Sequence, residues 1–310
     1  MISIIIPVFN SEQTIETLVS NIEKTLENNY EFELILVNDS SEDNSEKKCK
    51  DLVQKYSNIS LFSLAKNTGE HNAIMAGLNN CSGDYAVIMS DDLQHSTSAL
   101  LELIKYGLKE KNNFDVVYTY YSKKKYGFFK NLGSKFNNLV ANFLLAKPKN
   151  LYLSSFKFMN RFLIQEIIKH QSPFTYIDGL ILGTTNKIGK IKVEHNERVH
   201  GKSGYTLMKM IQLWSNMSTS FSIFPLRLSL LMGLLLSFVG FIFSLVFIFN
   251  KLFNNIFPTG TAAIFVSVTI FSGVILMSVG LIGEYVGRMF ISLNKKPQFV
   301  IRDSYTNKKK

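Results

Sequence analysis

Gly83-Asp84-Tyr85-Ala86-Val87-Ile88-Met89-Ser90-Asp91-Asp92-Leu93-Gln94 is the stretch that decides how this 310-residue chain is read. Tyr85 to Met89 is apolar on both faces and too short for a stable helix, the pattern of a strand buried in a parallel sheet. The carboxyl end of such a strand opens into the ligand crevice of an α/β fold. Here that end carries two adjacent carboxylates and an amide. Hard oxygen donors on Asp91, Asp92 and Gln94 suit Mg²⁺ or Mn²⁺, which usually take substrate phosphates and water as their other ligands. Taken alone, the same residues also read as a solvated acidic turn that starts a helix.

On either side of this stretch, strand-like apolar runs recur at 2–7, 32–37, 59–64 and 115–120. Helical segments separate them. Thr14, Ile15, Leu18, Val19, Ile22 and Leu26 make one apolar face, with Ser11 as a candidate N-cap. Residues 43–56, 70–80 and 97–109 supply three further helices. This alternation predicts a mostly parallel sheet with helices on both faces and ligands at the carboxyl ends of its strands. Three of those ends are polar: Pro7-Val8-Phe9-Asn10, Asn38-Asp39-Ser40-Ser41-Glu42-Asp43 and Lys66-Asn67-Thr68-Gly69-Glu70-His71-Asn72. Each alone is ordinary turn chemistry; around one crevice they indicate a ligand site. An Asp beyond the second strand can accept hydrogen bonds from a base or ribose, and Gly69 before a helix would let backbone donors approach phosphate. The absence of a Gly-x-Gly-x-x-Gly fingerprint and of a Walker loop counts against dinucleotide oxidoreductases and ordinary ATPases.

Hydrophobic residues make up 46% of the chain, and the mean hydropathy of +0.09 is high for a purely soluble protein. The excess lies in two uncharged runs, about 228–250 between Arg227 and Lys251 and about 262–284. Each is long enough to cross roughly 30 Å of hydrocarbon as a helix, so a two-helix transmembrane hairpin is predicted. The connection 251–258 carries one positive charge, whereas Arg288, Lys295, Lys296, Arg302 and Lys308 to Lys310 follow the second run. The positive-inside rule then places both termini and the N-terminal unit in the cytoplasm, the protein being multi-pass in the inner (plasma) membrane. The N-terminal Ile2-Ser3-Ile4-Ile5-Ile6 lacks the features of a signal peptide. Cys49 and Cys81 read as reduced structural thiols. The net charge of +10 comes with no nucleic-acid motif; an anionic bilayer and phosphate-bearing substrates explain it, and nucleic acid is not an expected partner. Apolar residues from Leu207 to Phe224 recur at helical spacing and predict an interfacial segment over 206–225, anchored by Trp214. Glu284 and Arg288 stand one helical turn apart as a pair. Gly233, Gly240, Gly273, Gly280, Gly283 and Gly287 permit close helix contacts, so a homo-oligomer is allowed.

The ordered motifs Ile4-Ile5-Ile6-Pro7-Val8-Phe9-Asn10, Val37-Asn38-Asp39-Ser40-Ser41-Glu42-Asp43, Asn67-Thr68-Gly69-Glu70-His71-Asn72-Ala73, Ala76-Gly77-Leu78, Gly83-Asp84-Tyr85, Asp91-Asp92-Leu93-Gln94 and Arg198-Val199-His200-Gly201-Lys202-Ser203-Gly204-Tyr205 resemble those of the family 2 glycosyltransferases. Within that family the chain is similar to the membrane-anchored group, dolichol-phosphate mannose synthase among them, that transfers a sugar from a nucleotide to a polyprenyl phosphate. The resemblance implies an α/β, Rossmann-like A-type glycosyltransferase fold and inversion at the anomeric carbon. It implies that Pro7, Asn10 and Asp39 bind the nucleoside and that Asn67 and Gly69 lie near ribose and diphosphate. Asp91 would also serve the donor, Asp92 and Gln94 a divalent metal, and Asp92 with Asp91 catalysis. Lys130 and Lys135, and later Arg198, Lys202, Ser203 and Tyr205, would meet the acceptor. The chain departs from the family pattern in three places. Ser90 stands at the first position of the usual Asp-x-Asp with Asp91 at the middle one, Ser11 stands where Glu is common, and Ser155-Phe156-Lys157 replaces an Asp-Phe-Arg.

The expected organisation is a catalytic domain over 1–205, an interfacial segment over 206–225, two transmembrane helices within 226–287 and a basic cytoplasmic tail over 288–310. The expected activity is transfer from a nucleotide-sugar donor to polyprenyl phosphate, undecaprenyl phosphate in a bacterium, for cell-surface glycan synthesis or modification. Two alternatives stand beside it: transfer to a hydroxyl of a lipid-linked glycan or other lipid, and a catalytically weak membrane scaffold, the latter motivated by Ser90. A processive synthase is disfavoured because no Gln-x-x-Arg-Trp segment is present.

Overall fold

In chain order the elements are β1 (Ile2–Val8), α1 (Ile15–Leu26), β2 (Phe32–Asn38), α2 (Ser45–Lys55), β3 (Ile59–Leu64), α3 (Glu70–Asn79), β4 (Tyr85–Ile88), α4 (Thr97–Gly107), β5 (Val116–Tyr120), β6 (Lys157–Asn160), α5 (Arg161–Ile167), α6 (Ile177–Thr184), β7 (Ile188–Lys192), α7 (Phe224–Phe253), α8 (Thr261–Leu293) and β8 (Ile301–Thr306). The computed structural model describes residues 1–109, 113–121, 151–194, 224–253, 260–294 and 296–306. The expected Lys130, Lys135, Arg198, Lys202, Ser203 and Tyr205 and most of the interfacial segment lie outside the described residues. Two compact units divide the chain, Met1–Met210 with Lys295–Lys310, and Ile211–Asn294.

The eight strands of the first unit form one sheet, ordered β7-β5-β6-β4-β1-β2-β3-β8. Its centre is parallel. β1 pairs with β2 from Ile2 opposite Phe32 to Val8 opposite Asn38, and with β4 from Ile2 opposite Tyr85 to Ile5 opposite Ile88. β3 adds parallel to β2. The chain therefore builds outward from β1 through β2 to β3 and then crosses to β4 on the other side, which makes the β1/β4 boundary a topological switch point.

Alternation along β1 feeds two cores. Ile2, Ile4, Ile6 and Val8 pack with the apolar faces of α1, α2 and α4. Ile5 packs on the opposite side with Ala73 to Met75 of α3, Leu163 and Ile164 of α5, and Ile177 and Ile181 of α6. Burial on both faces explains why β1 reads as an unbroken apolar run. Gly77 brings α3 directly onto Ile5, where a Cβ would collide with the Ile5 side chain.

The sheet differs from the sequence expectation at both edges. β5 is separated from β4 by β6, which runs antiparallel to both, and β7 then pairs parallel to β5. The segment 288–310, expected as a basic tail, contains the last turns of α8 and then β8, antiparallel on the edge of β3. An open β3 edge would leave backbone groups unpaired, and β8 satisfies them. Its polar, alternating Ile-Arg-Asp-Ser-Tyr-Thr composition hides the strand behind charge.

In the second unit, α7 and α8 touch where the Ser229 and Ser278 hydroxyls lie 2.6 Å apart. Arg288 donates to Glu284 at 2.8 Å, the pair expected from their spacing. Among the described residues, Ile270–Leu293 is long and apolar enough to cross a membrane, with mean hydropathy 1.7, and Ser229–Ile242 is a shorter apolar stretch.

Candidate active site

Four residues with positive φ sit just beyond the carboxyl ends of the four central strands: Asn10 at 54°, Ser40 at 58°, Gly69 at 88° and Leu93 at 60°. A left-handed non-glycine residue costs about 1–3 kcal/mol and persists where its surroundings over-determine it, commonly at functional sites. Leu93, with no side-chain hydrogen bond to favour that conformation, is the strongest such sign. At Gly69 nothing lies within 4 Å of a would-be Cβ, so glycine is required there by the backbone angle rather than by space.

The loops after β1 and β2 are riveted together. Asn10 N–H donates to Ser41 Oγ at 3.1 Å, and Asn10 Oδ1 accepts from Glu42 N–H at 2.9 Å. Ser11 N–H donates to Ser45 Oγ at 2.7 Å. Pro7, expected to touch the nucleoside, is buried within β1 beneath this rim, whereas Asn10 and Asn67 are exposed on it. Asp39 is buried at 3% exposure. Its Oδ1 accepts from Thr68 N–H at 2.7 Å and Thr68 Oγ1 at 3.1 Å, and its Oδ2 from Gly69 N–H at 2.9 Å. Asp39 thus organises the turn that follows β3. The Gly69 amide, expected to face phosphate, is directed at Asp39.

Asp91 joins the ends of β1 and β4 across the switch point. Its Oδ2 accepts from Phe9 N–H at 3.2 Å and from the Ser11 hydroxyl. Ser11 is consequently not the helix cap that its position suggested: α1 is capped at Thr14, and the Ser11 carbonyl accepts from Thr14 and Ile15 N–H, both at 3.1 Å. Burial raises the Asp91 carboxyl above its ordinary range, opposed by the Ser11 and Phe9 donors and reinforced by Asp92. Asp92 Oδ1 accepts from Gln94 N–H at 3.2 Å. Ser90 Oγ donates to Ser155 Oγ at 3.2 Å, so with the Ser11–Asp91 contact all three departures from the family pattern are joined.

Asp91, Asp92 and Gln94 are of the residue types that suit a divalent cation sharing its coordination with a substrate. Asp91, Asp92 and the Gln94 amide offer hard ligands at one strand end, whereas no group of three or more His, Cys, Asp or Glu residues converges among the described residues.

A charged cluster lies alongside, built on Lys157, the last residue of the Ser155-Phe156-Lys157 departure, and on Asp178, which the sequence did not signal. Lys157, 2% exposed, forms an ion pair with Asp178, which also accepts from Tyr118 OH at 2.8 Å. The Lys157 ammonium stands 5.0 Å from the Tyr118 ring centroid. Glu70 is exposed as a residue, yet desolvation at its carboxyl end raises that carboxyl, opposed by Lys157 and reinforced by Asp91, Asp178 and Asp92. His71 meets the Tyr176 ring edge-on at 5.1 Å, and burial draws its imidazole down to about 4. His95, by contrast, is packing: its ring stacks on Phe156 at 4.5 Å.

The parallel-centred α/β sheet, with adjacent carboxylates at its switch point and an Asp-held glycine turn after β3, has the arrangement expected of an A-type glycosyltransferase fold. Residues 3–168, more than half the chain, match the family described as Glycosyl transferase family 2, and the chain belongs to that family. It is 29% identical over 308 residues to the uncharacterized glycosyltransferase YkcC of Bacillus subtilis, covering 98% of this chain and 94% of that protein. It is 30% identical over 304 residues to an undecaprenyl-phosphate 4-deoxy-4-formamido-L-arabinose transferase of Pseudomonas fluorescens, covering 97% of this chain and 89% of that protein. The crystal structure of Mycobacterium tuberculosis glucosyl-3-phosphoglycerate synthase superimposes with a TM-score of 0.53 at 17% identity, over 71% of this chain and 78% of that one.

Proposed function

We propose that this glycosyltransferase moves a sugar, with inversion, from a nucleotide-sugar donor to a polyprenyl phosphate at the cytoplasmic face of the membrane. The observation that carries the reading is the Asp91-Asp92 pair at the β1/β4 switch point, on the same strand-end side of the sheet as the Asp39-organised turn after β3. The lipid acceptor is supported by likeness along 97% of the chain, α7 and α8 included, to an enzyme named for undecaprenyl phosphate. The exposed apolar side chains of both helices, such as Leu234, Phe238, Leu276 and Met277, support a lipid surround.

A phosphate monoester has its second pKa near ~6, so the acceptor oxygen is already largely anionic at neutral pH and needs no strong protein base. The enzyme's task is to align two anionic partners and to stabilise the departing nucleoside diphosphate. Asp92 and Gln94, with Asp91 beside them, would hold Mg²⁺ or Mn²⁺. A divalent ion bound there neutralises charge on the leaving group. Asn10, Asn67 and Asp39 line the nucleoside side, with Asp39 acting through the turn it fixes. Lys130, Lys135, Arg198, Lys202, Ser203 and Tyr205 are the proposed acceptor-side residues.

The test is a donor screen with purified, detergent-solubilised full chain and a short polyprenyl phosphate, with and without Mg²⁺ or Mn²⁺, read as radiolabelled glycolipid. Asp92→Asn is expected to lower turnover at least about 100-fold while leaving membrane insertion intact. Wild-type turnover in that variant rejects the assignment. Transfer only to a sugar hydroxyl moves the acceptor to a lipid-linked glycan, and donor binding without any turnover favours a scaffold.

A further inference from the structure

We propose that residues 298–302, which follow α8 and lead into β8, form part of the donor site, with Gln298 as its positioning residue. The proposal rests on the reading of the strand-end crevice as the nucleotide-sugar site. Gln298 is 9% exposed. Its Nε2 donates to Thr175 Oγ1 at 2.6 Å and Ser172 O at 2.9 Å, with His170 O at 3.3 Å as a third acceptor. The loop so gathered reaches the crevice: Pro173 O accepts from Asn72 Nδ2 at 3.3 Å, and Tyr176 packs against His71.

Within four residues the same segment grips a second crevice loop. Ala65 N–H donates to Val300 O at 2.8 Å, and the Arg302 guanidinium donates to Ala65 O at 3.2 Å. Ala65 is the last residue before the turn whose Thr68 and Gly69 amides hold Asp39. The β3/β8 register shifts between Ser63 and Leu64, where the ladder yields to these contacts. One short segment therefore joins the turn after β3 to the loop between α5 and α6, and Asn72 and His71 at the start of α3 sit between the two. Gln298 touches no reacting atom and acts through the loops it ties, so the donor pocket is complete only after the chain has passed through α7 and α8 and returned.

Gln298→Met keeps the side chain's length and removes both N–H donors. In the full chain it is expected to raise the donor KM about fivefold, with kcat and acceptor KM within about twofold of wild type. Backbone hydrogen exchange at Thr68, Gly69 and residues 170–176 should accelerate in the same variant. Thr175→Val, which removes the nearest acceptor, should act in the same direction and less strongly. Thr306→Val removes the 3.1 Å Ser60–Thr306 hydroxyl contact at the far end of β8 and should leave both readouts unchanged. An unchanged donor KM or unchanged exchange at these amides in Gln298→Met overturns the proposal, as does an equal effect from Thr306→Val. If Gln298→Met does not accumulate, Thr175→Val is judged by the same two readouts. A wild-type chain that uses no donor defeats the functional reading instead, and exchange alone then decides whether Gln298 holds the loops.

Discussion

His71 carries a pH dependence whose sign follows from its surroundings. Burial brings its folded pKa to about 4, with Asp178 opposing the fall and Lys157 adding to it. The unfolded value is near ~6.5. Between the two the unfolded chain takes up a proton that the folded chain refuses, so the contribution of His71 is fully present above pH 6.5 and is lost as pH falls toward 4. The slope inside that window is up to about 1.4 kcal/mol per pH unit. His71→Phe keeps an aromatic edge for Tyr176 and removes the titration. Calorimetric melting of the detergent-solubilised chain at pH 7.5 and pH 5 should show a smaller drop for the variant, and equal drops would refute the assignment. At the same scale, the shift of the acidic pair from the 90/92 positions to 91/92 is locally consistent. Ser11 offers Asp91 a hydroxyl donor, and Ser90 finds the Ser155 hydroxyl.

At the scale of elements, the Lys157–Asp178 pair ties β6 to the start of α6 in a buried setting. Removing one partner leaves the other charge uncompensated, which typically costs about 3–5 kcal/mol, whereas removing both is far milder. Lys157→Met and Asp178→Asn are each expected to lower the melting temperature more than the double variant does, and additive losses would show that the pair is not a unit. Lys157 was visible only as a departure from the family pattern and Asp178 not at all, for a physical reason. β6 is four residues long with a lysine at its start, so it offers neither an apolar run nor an alternation, and Asp178 is separated from its partner by a helix and a loop. β1 to β4 and α1 to α4 were legible because each is an apolar run or stripe ended by turn residues. That Asp39, Gly69 and Asp91 lie beyond the ends of β2, β3 and β4 was legible because strand-end position follows from the alternation of strands and helices alone. Ser11 was misread because a hydroxyl before a helix looks the same whether it caps that helix or reaches a carboxylate distant in sequence. Gln298 had no local signature, since its partners lie more than 120 positions earlier.

The whole molecule constrains its own route through a bilayer. Met1–Met210 and Lys295–Lys310 belong to one compact unit, with β8 hydrogen-bonded to β3. Two ends of one unit lie on one side of a membrane, so the intervening segment crosses an even number of times. Ile270–Leu293 alone passes the length and hydropathy criterion among the described residues, yet a single crossing would tear β8 from β3. If α8 spans, an even count calls for a second crossing, for which we propose α7. Its 30 residues rise about 45 Å, beyond the roughly 30 Å of a hydrocarbon core. Single cysteines can test this because the native thiols are buried, and burial pushes Cys49 up to about 12 and also raises Cys81, leaving both poorly reactive. Asn255→Cys, in the connection between the helices, should react with a membrane-impermeant maleimide in intact cells. Ser304→Cys, exposed on β8, should react only after the membrane is opened. Labelling of Ser304→Cys in intact cells would put the catalytic unit outside, and protection of Asn255→Cys there with labelling after permeabilisation would mean that neither helix crosses.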